Sequence, residues 1–166
     1  TNQITSRSYN TIDGYRAAEL NYDNVNAELL CKNDLALECI IKANSAGALA
    51  LSAEAVGIMQ VCFDLTLDYL KTRKQFGKSL DKFQVTQFKL ADMATELEAS
   101  RLMVLRAACA LDTADKQATK LCAMAKRYAT DVCSEICNMA LQIHGGYGYL
   151  KDFPLERLVR DLRVHQ

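Results

Sequence analysis

The chain has 166 residues; half of them are apolar, one is proline and none is tryptophan. This length suffices for one domain with a proper core, or for one domain joined to a fragment of another. Lys plus Arg and Asp plus Glu both total 20, so the balanced charge gives no support for a nucleic-acid or polyanion surface.

The N-terminal part, residues 1–26, differs from the rest of the chain. Ile4–Tyr9 and Tyr15–Tyr22 are short segments rich in β-formers, with Asp13-Gly14 between them as a turn signal. Because two strands alone are not stable, we expect them to end a β-domain that lies upstream. The chain begins at Thr1 without an initiator methionine, which favours excision from a longer protein. Nothing there resembles a signal peptide, and no apolar run approaches the ~18 residues of a membrane span.

From Asp34 onward the pattern predicts long helices joined by short turns. The first helix is apolar on nearly every face, which is typical of a helix packed against neighbours, and the second has an apolar stripe with the helical period. Such helices with short connections specify a mainly α fold, an antiparallel up-and-down bundle. The predicted helices are Leu35–Thr72, about Lys82–Leu111, about Asp115–Gln142, and a short fourth one that starts at Asp152-Phe153-Pro154.

The seven cysteines have irregular spacing and mostly apolar neighbours. This pattern is typical of buried, reduced cysteines rather than of a secreted disulfide framework. Cys133 and Cys137 lie on one helix face and could share a metal, but no further Cys or His stands nearby at ligand spacing. We therefore predict no metal site. We also predict a reducing compartment, the cytoplasm of a bacterium or the mitochondrial matrix of a eukaryote.

Two dense clusters of residues stand at the ends of long helices. The first is Arg73-Lys74-Gln75-Phe76-Gly77, and the second, Gln142–Tyr149, contains Gly145, Gly146 and Gly148. Glycine lets a ligand approach the main chain closely, and arginine offers fixed, charged donors to phosphate oxygens. Each feature also has a simpler interpretation. The glycines are compatible with a helix end and a turn, and Arg73 with a residue that neutralises a helix C-terminus.

In the order and spacing of five motifs, the chain resembles the acyl-CoA dehydrogenases of the short- and branched-chain type. The resemblance is strong over residues 33–166, as the family's C-terminal α-helical bundle domain truncated before its last helix. It is looser over residues 1–32, as the last strands of the family's middle β-domain. The motifs are Ala53–Gly57 with Asp68–Gly77, then Phe83-Gln84, Leu90–Met93, Gln142–Gly148 and Arg160–Arg163.

This resemblance implies a flavoprotein that removes hydrogens from Cα and Cβ of an acyl-CoA thioester. The electrons would pass to an electron-transferring flavoprotein. In the family, FAD lies between the subunits of a dimer or tetramer, so the resemblance also implies a homo-oligomer or hetero-oligomer.

The resemblance also implies which residues bind the cofactor. Arg73 falls where the family contacts the FAD pyrophosphate, Gln75 and Phe76 fall beside it, and Gln84 falls near the flavin dinucleotide. From the residues alone, Gln84 and Gln142 are compatible with surface amides. Phe76 is compatible with a core aromatic, and His144 with a packed or capping histidine. At the helix end that meets the adenosine half of the neighbouring subunit's FAD, the chain has Gln142, Ile143, Gly145 and Gly146.

Two departures from the family bear on catalysis. The family's usual catalytic base is a glutamate that would fall shortly after Gln166, so no catalytic residue is assigned and the chain alone is expected to be inactive. Many members carry an arginine early in the first bundle helix, where this chain has Ala46-Gly47-Ala48. Two alternatives therefore stay open. One is a non-catalytic subunit of an acyl-CoA dehydrogenase-like complex, and the other is a helical assembly module whose glycines only end helices.

Overall fold

A computed structural model describes residues 3–166. The chain divides into two compact units, one up to Ile40 and one over Ile41–Gln166, and the boundary falls within the first helix. Short 3-10 turns cover Leu80–Lys82, Gly145–Tyr149 and Arg163–His165. The strands and helices in chain order are β1 (Ile4–Asn10), β2 (Arg16–Tyr22), α1 (Asn33–Thr72), β3 (Lys74–Gln75), β4 (Lys78–Ser79), α2 (Gln84–Asp112), α3 (Ala118–His144) and α4 (Leu155–Leu162).

The first unit contains the predicted N-terminal hairpin. β1 pairs with β2 in antiparallel register, with Ile4 opposite Tyr22 and Asn10 opposite Arg16. The connecting turn contains Gly14 at φ +90°, a left-handed conformation that glycine adopts at little cost. The turn signal in the sequence therefore identified both the hairpin and its glycine.

The second unit is the helical bundle that the apolar periodicity predicts. α3 packs extensively against α2, and α4 packs against α3. Much of the shared core consists of alanine and cysteine side chains with no exposed surface, and such small residues let helices approach closely. The mainly α fold is confirmed. Fully buried small residues of the core include Ala55, Cys62, Ala107, Cys122, Ala125, Ala129, Cys133, Cys137 and Ala140.

α3 starts at Ala118, later than the predicted start at about Asp115. The carboxylate of Asp115 accepts a hydrogen bond from the Gln117 backbone N–H at 2.8 Å, and its carbonyl accepts one from the Ala118 N–H at 2.9 Å. Asp115 therefore forms a turn ahead of the helix instead of capping it directly.

A small hairpin between α1 and α2 was not predicted. β3 and β4 have two residues each, and the connecting Phe76 and Gly77 both have positive φ, +53° and +81°. Strands this short show no alternation of apolar and polar residues, so the sequence has no strand signal there. A hydrogen bond from the Leu80 N–H to the Arg73 carbonyl, 2.9 Å long, closes the hairpin and fixes the backbone of Arg73.

α1 contains an apolar stretch as long as a membrane span, contrary to the expectation that no apolar run approaches that length. Within Asn33–Thr72, an 18-residue window has a mean hydropathy of 1.6, so by length and composition alone the helix could cross a membrane. A core helix of a soluble protein meets the same criterion, which makes this weak evidence. In this bundle the α1 residues Ala55, Met59 and Cys62 belong to the shared core.

Three buried cysteines from α1 and α3 form a cluster in the core. The Sγ atom of Cys137 lies 3.3 Å from that of Cys62 and 3.9 Å from that of Cys133. Hydrogen bonds with these two thiols, followed by burial, raise the pKa of Cys137. The Cys137 thiol therefore stays protonated, and the three buried cysteines pack as small apolar groups. All seven cysteines are free, and within residues 3–166 no group of three or more potential ligands could hold a metal ion.

Candidate functional site

A cavity of about 480 Å³ lies where the end of α1, the β3–β4 hairpin and the end of α3 come together. Both helices end beside this cavity, and the last turn of a helix leaves carbonyl oxygens without intrahelical partners. Five predicted cofactor residues line the cavity: Arg73, Gln75, Ile143, Gly145 and Gly146. The lining residues that the sequence analysis did not assign are Tyr69, Leu80, His144, Tyr147 and Leu150.

Arg73 is the charged residue of the cavity wall. Its backbone N–H donates to the Tyr69 carbonyl at 2.8 Å, which continues the last turn of α1. Its guanidinium carbon lies 5.2 Å from the centre of the Tyr147 ring, a favourable cation–π distance. The side chain is half-buried, and among residues 3–166 it forms no ion pair with a carboxylate. The guanidinium therefore keeps its donors available on the cavity side.

The three glycines after α3 have three different structural roles. Gly145 has φ +58° and ψ −133°, a conformation that is essentially restricted to glycine. Gly148 is buried, and a Cβ atom there would lie 2.5 Å from the Leu141 carbonyl oxygen. Gly146 has neither constraint, because its φ is ordinary and nothing lies within 4 Å of a Cβ built on it. The fold of the described residues therefore requires glycine at 145 and 148 but not at 146.

The aromatic side chains in the cavity lining are Tyr69, His144 and Tyr147. Tyr69 stacks on His144 with ring centroids 4.2 Å apart, and Phe153 meets Tyr147 edge-on at 5.4 Å. Sequence reasoning missed Tyr69, although it lies one helical turn before Arg73 and therefore on the same face of α1. That spacing was the available signal. The contact with His144 joins residues 75 positions apart, for which the sequence gives no signal.

The remaining predicted residues lie outside the cavity lining. Gln84 begins α2 and is exposed, and Gln142 is an exposed residue in the last turn of α3 whose carbonyl accepts the Gly145 N–H. Phe76 is 90 % exposed at the tip of the β3–β4 hairpin, so the interpretation of this residue as a core aromatic is wrong. It touches Phe83 edge-on at 6.3 Å. A strained, exposed phenylalanine is available to a ligand or to a partner chain.

Glu156 and His144 are the residues of this chain to consider as substitutes for the glutamate base that the resemblance implies, and neither is suited to proton abstraction. Glu156 accepts a hydrogen bond from Arg160 Nε at 2.8 Å, and this contact lowers the pKa of the carboxylate. Burial lowers the pKa of His144 from its ordinary value, although the hydrogen bond with the Ala140 carbonyl acts in the opposite direction. None of the residues lining the 480 Å³ cavity carries a carboxylate.

The lowered pKa of His144 predicts a pH dependence of stability. In the unfolded chain the imidazole titrates near its ordinary value of about 6.5, so the unfolded state binds the proton first as the pH falls. The stabilising contribution is complete above that value and is lost at lower pH, by at most about 1.4 kcal/mol for each pH unit. Denaturant unfolding of the chain at pH 7.5 and 5.5 measures it. The His144→Gln variant should lose less stability over this interval, and an equal loss in both proteins would contradict the assignment.

Fold and site together define a helical-bundle domain with a cavity at the C-terminal ends of two helices. Residues 37–166 match the family model described as the C-terminal domain of acyl-CoA dehydrogenase. The chain belongs to the acyl-CoA dehydrogenase family.

Curated relatives agree with this membership. The chain is 51 % identical over 126 residues to the mitochondrial isobutyryl-CoA dehydrogenase of Bos taurus, covering 76 % of the chain and 30 % of the relative. It is 48 % identical over 124 residues to subunit CarC of the caffeyl-CoA reductase–Etf complex of Acetobacterium woodii, covering 75 % of the chain and 32 % of the relative. The chain thus spans about a third of the length of these curated relatives.

Solved structures give the same result. Butyryl-CoA dehydrogenase from Megasphaera elsdenii superposes with a TM-score of 0.89 and 33 % identity, covering 100 % of this chain and 45 % of that one. A structure described under the electron transferring flavoprotein of Acidaminococcus fermentans gives a TM-score of 0.89 and 34 % identity, covering 99 % and 45 %.

Proposed function

We propose that this chain is part of an FAD-dependent acyl-CoA dehydrogenase and supplies one wall of its dinucleotide site. The observation that carries the proposal is the half-buried Arg73 guanidinium. It lines the cavity beside Gly146 and has no carboxylate partner among the described residues. A guanidinium is permanently charged and has several N–H donors in one plane, so without a carboxylate partner it is suited to bind phosphate oxygens.

The surrounding groups fit the other parts of a dinucleotide. The carbonyl ends of α1 and α3 offer acceptors for hydroxyl and amino groups of a nucleoside. Gly146 leaves open space that a Cβ atom would fill, so a ligand can approach its backbone. Arg73, Gln75, Ile143, Gly145 and Gly146 would hold FAD from inside the cavity. Phe76, Gln84 and Gln142 lie outside its lining, so we assign them to more distant parts of the dinucleotide.

In the proposed reaction the acyl-CoA thioester loses a proton from Cα and a hydride from Cβ. FAD supplies the redox chemistry when bound, as acceptor of the hydride. The residues of this chain bind and orient the dinucleotide and exclude water from it. We assign them no proton transfer, because no carboxylate lines the cavity and both Glu156 and His144 are poorly suited to it. We therefore propose that the 166-residue chain alone does not oxidise acyl-CoA.

Partners and location follow the same proposal. An electron-transferring flavoprotein as electron acceptor is supported by the relative that is named as part of an Etf complex. The relative named isobutyryl-CoA dehydrogenase supports a short branched acyl group as the substrate.

Exposed apolar residues on α2, such as Phe88 and Leu102, support oligomerisation. Residues 1–32 would belong to the preceding β-domain, and free cysteines support the bacterial cytoplasm or the mitochondrial matrix.

A non-catalytic subunit is the second candidate. Ala48 stands where many family members have an arginine, and the side chain of alanine cannot hold a charged substrate group. Adding acyl-CoA to the flavin-loaded whole protein separates the two candidates. Loss of the flavin absorbance indicates a dehydrogenase, and an unchanged spectrum indicates a subunit that has kept the cofactor without the chemistry.

Gly146→Ala tests the proposed cofactor site. Because nothing in the described fold occupies the space of the new methyl group, stability without cofactor should change by less than about 0.5 kcal/mol. FAD affinity of the whole protein should fall roughly tenfold, equivalent to about 1.4 kcal/mol. Flavin fluorescence titration measures the affinity and thermal unfolding the stability.

The matched control is Gly47→Ala in α1, which also has nothing within 4 Å of the added Cβ and lies outside the cavity lining. It should leave FAD affinity unchanged. If the whole protein binds no flavin, or if Gly146→Ala binds it as tightly as the wild type, the helical assembly module becomes the better interpretation.

A further inference from the structure

Tyr69 and His144 form a contact between α1 and α3 that the cofactor assignment does not use. Their rings stack with centroids 4.2 Å apart and an interplanar angle of 23°. The Tyr69 hydroxyl donates to the His144 backbone carbonyl at 3.3 Å. His144 is only 3 % exposed, and its Nδ1 lies 2.9 Å from the Ala140 carbonyl. Because a carbonyl only accepts, Nδ1 carries the proton and the ring is held in that tautomer.

The Tyr69–His144 pair lies where it can fix the backbone of the glycine turn that lines the cavity. The carbonyl that Tyr69 holds belongs to the residue immediately before Gly145, where the backbone turns through φ +58°. Gly145 and Gly146 have no side chains that could fix the turn by packing. Phe153 supports the pair, with ring centroids 6.0 Å from His144 and 6.5 Å from Tyr69. The turn is therefore held by a hydrogen bond and a stacked ring on its N-terminal side.

The pair is also the common wall of two cavities. Tyr69 and His144 line the 480 Å³ cavity and a second one of about 260 Å³. A shift of either ring would change the shape of both cavities, and it would move the glycine turn relative to Arg73.

We propose that Tyr69 and His144 are positioning residues that hold the Gly145–Gly146 turn in the conformation that binds the dinucleotide. This inference rests on the proposed function, because it concerns the same site. When the turn samples several conformations, the apparent affinity falls by the fraction of molecules in the competent one. The pair keeps that fraction high because the Tyr69 hydroxyl and His144 Nδ1 are both bonded to backbone carbonyls of the last turn of α3.

Tyr69→Phe in the whole protein tests this inference, because it removes the hydroxyl and keeps the stacked ring. We expect FAD to bind about three- to tenfold more weakly, the range for one lost neutral hydrogen bond. The matched control is Thr66→Val, which removes a buried hydroxyl from the same helix; that hydroxyl donates to the Cys62 carbonyl at 2.7 Å and does not line either cavity. Thr66→Val should lower the melting temperature and leave FAD affinity unchanged.

A second variant keeps the test informative if Tyr69→Phe does not fold. His144→Phe retains an aromatic ring without the Nδ1–H donor and should also weaken FAD binding. The double variant should bind FAD about as weakly as whichever single variant binds it more weakly, because both substitutions act on the same turn. Equal FAD affinity of wild type and Tyr69→Phe, or an equal loss in Thr66→Val, would show a purely structural pair and overturn the inference. A wild-type protein without flavin would instead overturn the proposed function.

Discussion

Replacing Arg73 with alanine is expected to weaken FAD retention by roughly 1.5–3 kcal/mol, the range for hydrogen bonds to a charged group. This corresponds to about a 10- to 150-fold increase in the dissociation constant. The guanidinium is half-buried over the Tyr147 ring at 5.2 Å, so a phosphate bound there would be partly shielded from water and would interact more strongly than at an exposed site. Flavin content after dialysis of the whole protein, followed by titration with FAD, measures the loss.

Two further variants decide between phosphate binding and a structural role for Arg73. Arg73→Lys should recover only part of the affinity, because an ammonium cannot reproduce the planar fork of donors. Arg106→Ala removes an exposed arginine of α2 outside the cavity and should leave flavin content unchanged. If Arg73 only neutralises the C-terminus of α1, Arg73→Ala would lower the free energy of unfolding by about 0.3–1 kcal/mol. The variant would then retain its flavin. That result would remove Arg73 from the site.

The long helices were predictable because their physical cause is local. Burial of one face gives α2 its 3.6-residue apolar period, and apolar residues on nearly every face mark α1 as a helix packed against neighbours. The glycines after His144 end α3 where the backbone leaves helical geometry. The N-terminal hairpin was predictable for the same reason, since Asp13-Gly14 supplies the turn chemistry. These signals lie within a few residues of the elements they specify.

The β3–β4 hairpin after Arg73 could not be predicted from the residues near it. Its type of turn normally favours Asn-Gly, whereas this chain places Phe76 at φ +53° before Gly77. Phenylalanine is strained in that conformation, so no propensity rule would place it there. The turn conformation is explained by the hydrogen bond from the Leu80 N–H to the Arg73 carbonyl, which closes the hairpin. That hydrogen bond forms only when the chain has already folded back on itself.

The candidate site was predictable in part. Arg73 and the glycine cluster could be identified from their residue types, because phosphate recognition and close backbone approach need those types. The contact between Tyr69 and His144 could not, because it joins two helices through residues 75 positions apart. Only the packing of α1 against α3 brings these rings together, and a single sequence does not report such pairs.

The three glycines after α3 also combine features that the sequence shows with roles that only the structure reveals. They look equivalent in the sequence, yet Gly145 is required by its backbone angles, Gly146 by nothing in the described fold, and Gly148 by packing. Gly148 lies in the 3-10 turn Gly145–Tyr149, close against the end of α3. The three glycines are therefore expected to respond differently to the same substitution by alanine.

Gly148→Ala is expected to destabilise the chain by roughly 2–3 kcal/mol, the upper part of the range for overpacking. A Cβ atom at this position would lie 2.5 Å from the carbonyl oxygen and 3.2 Å from the carbonyl carbon of Leu141. These are backbone atoms of α3, so relief requires a shift of the helix end or of the turn, and a change of rotamer cannot provide it. Urea unfolding monitored by circular dichroism measures the loss.

Gly57→Ala in α1 is the matched control, because it adds the same methyl group where nothing lies within 4 Å. It should stabilise the helix by about 0.5–1 kcal/mol, since alanine loses less backbone entropy than glycine. The two substitutions are therefore expected to change stability in opposite directions, although they are chemically identical. A loss below about 0.5 kcal/mol for Gly148→Ala would mean that the turn yields easily. The Gly145–Gly146 backbone would then be too mobile to serve as a preformed binding surface.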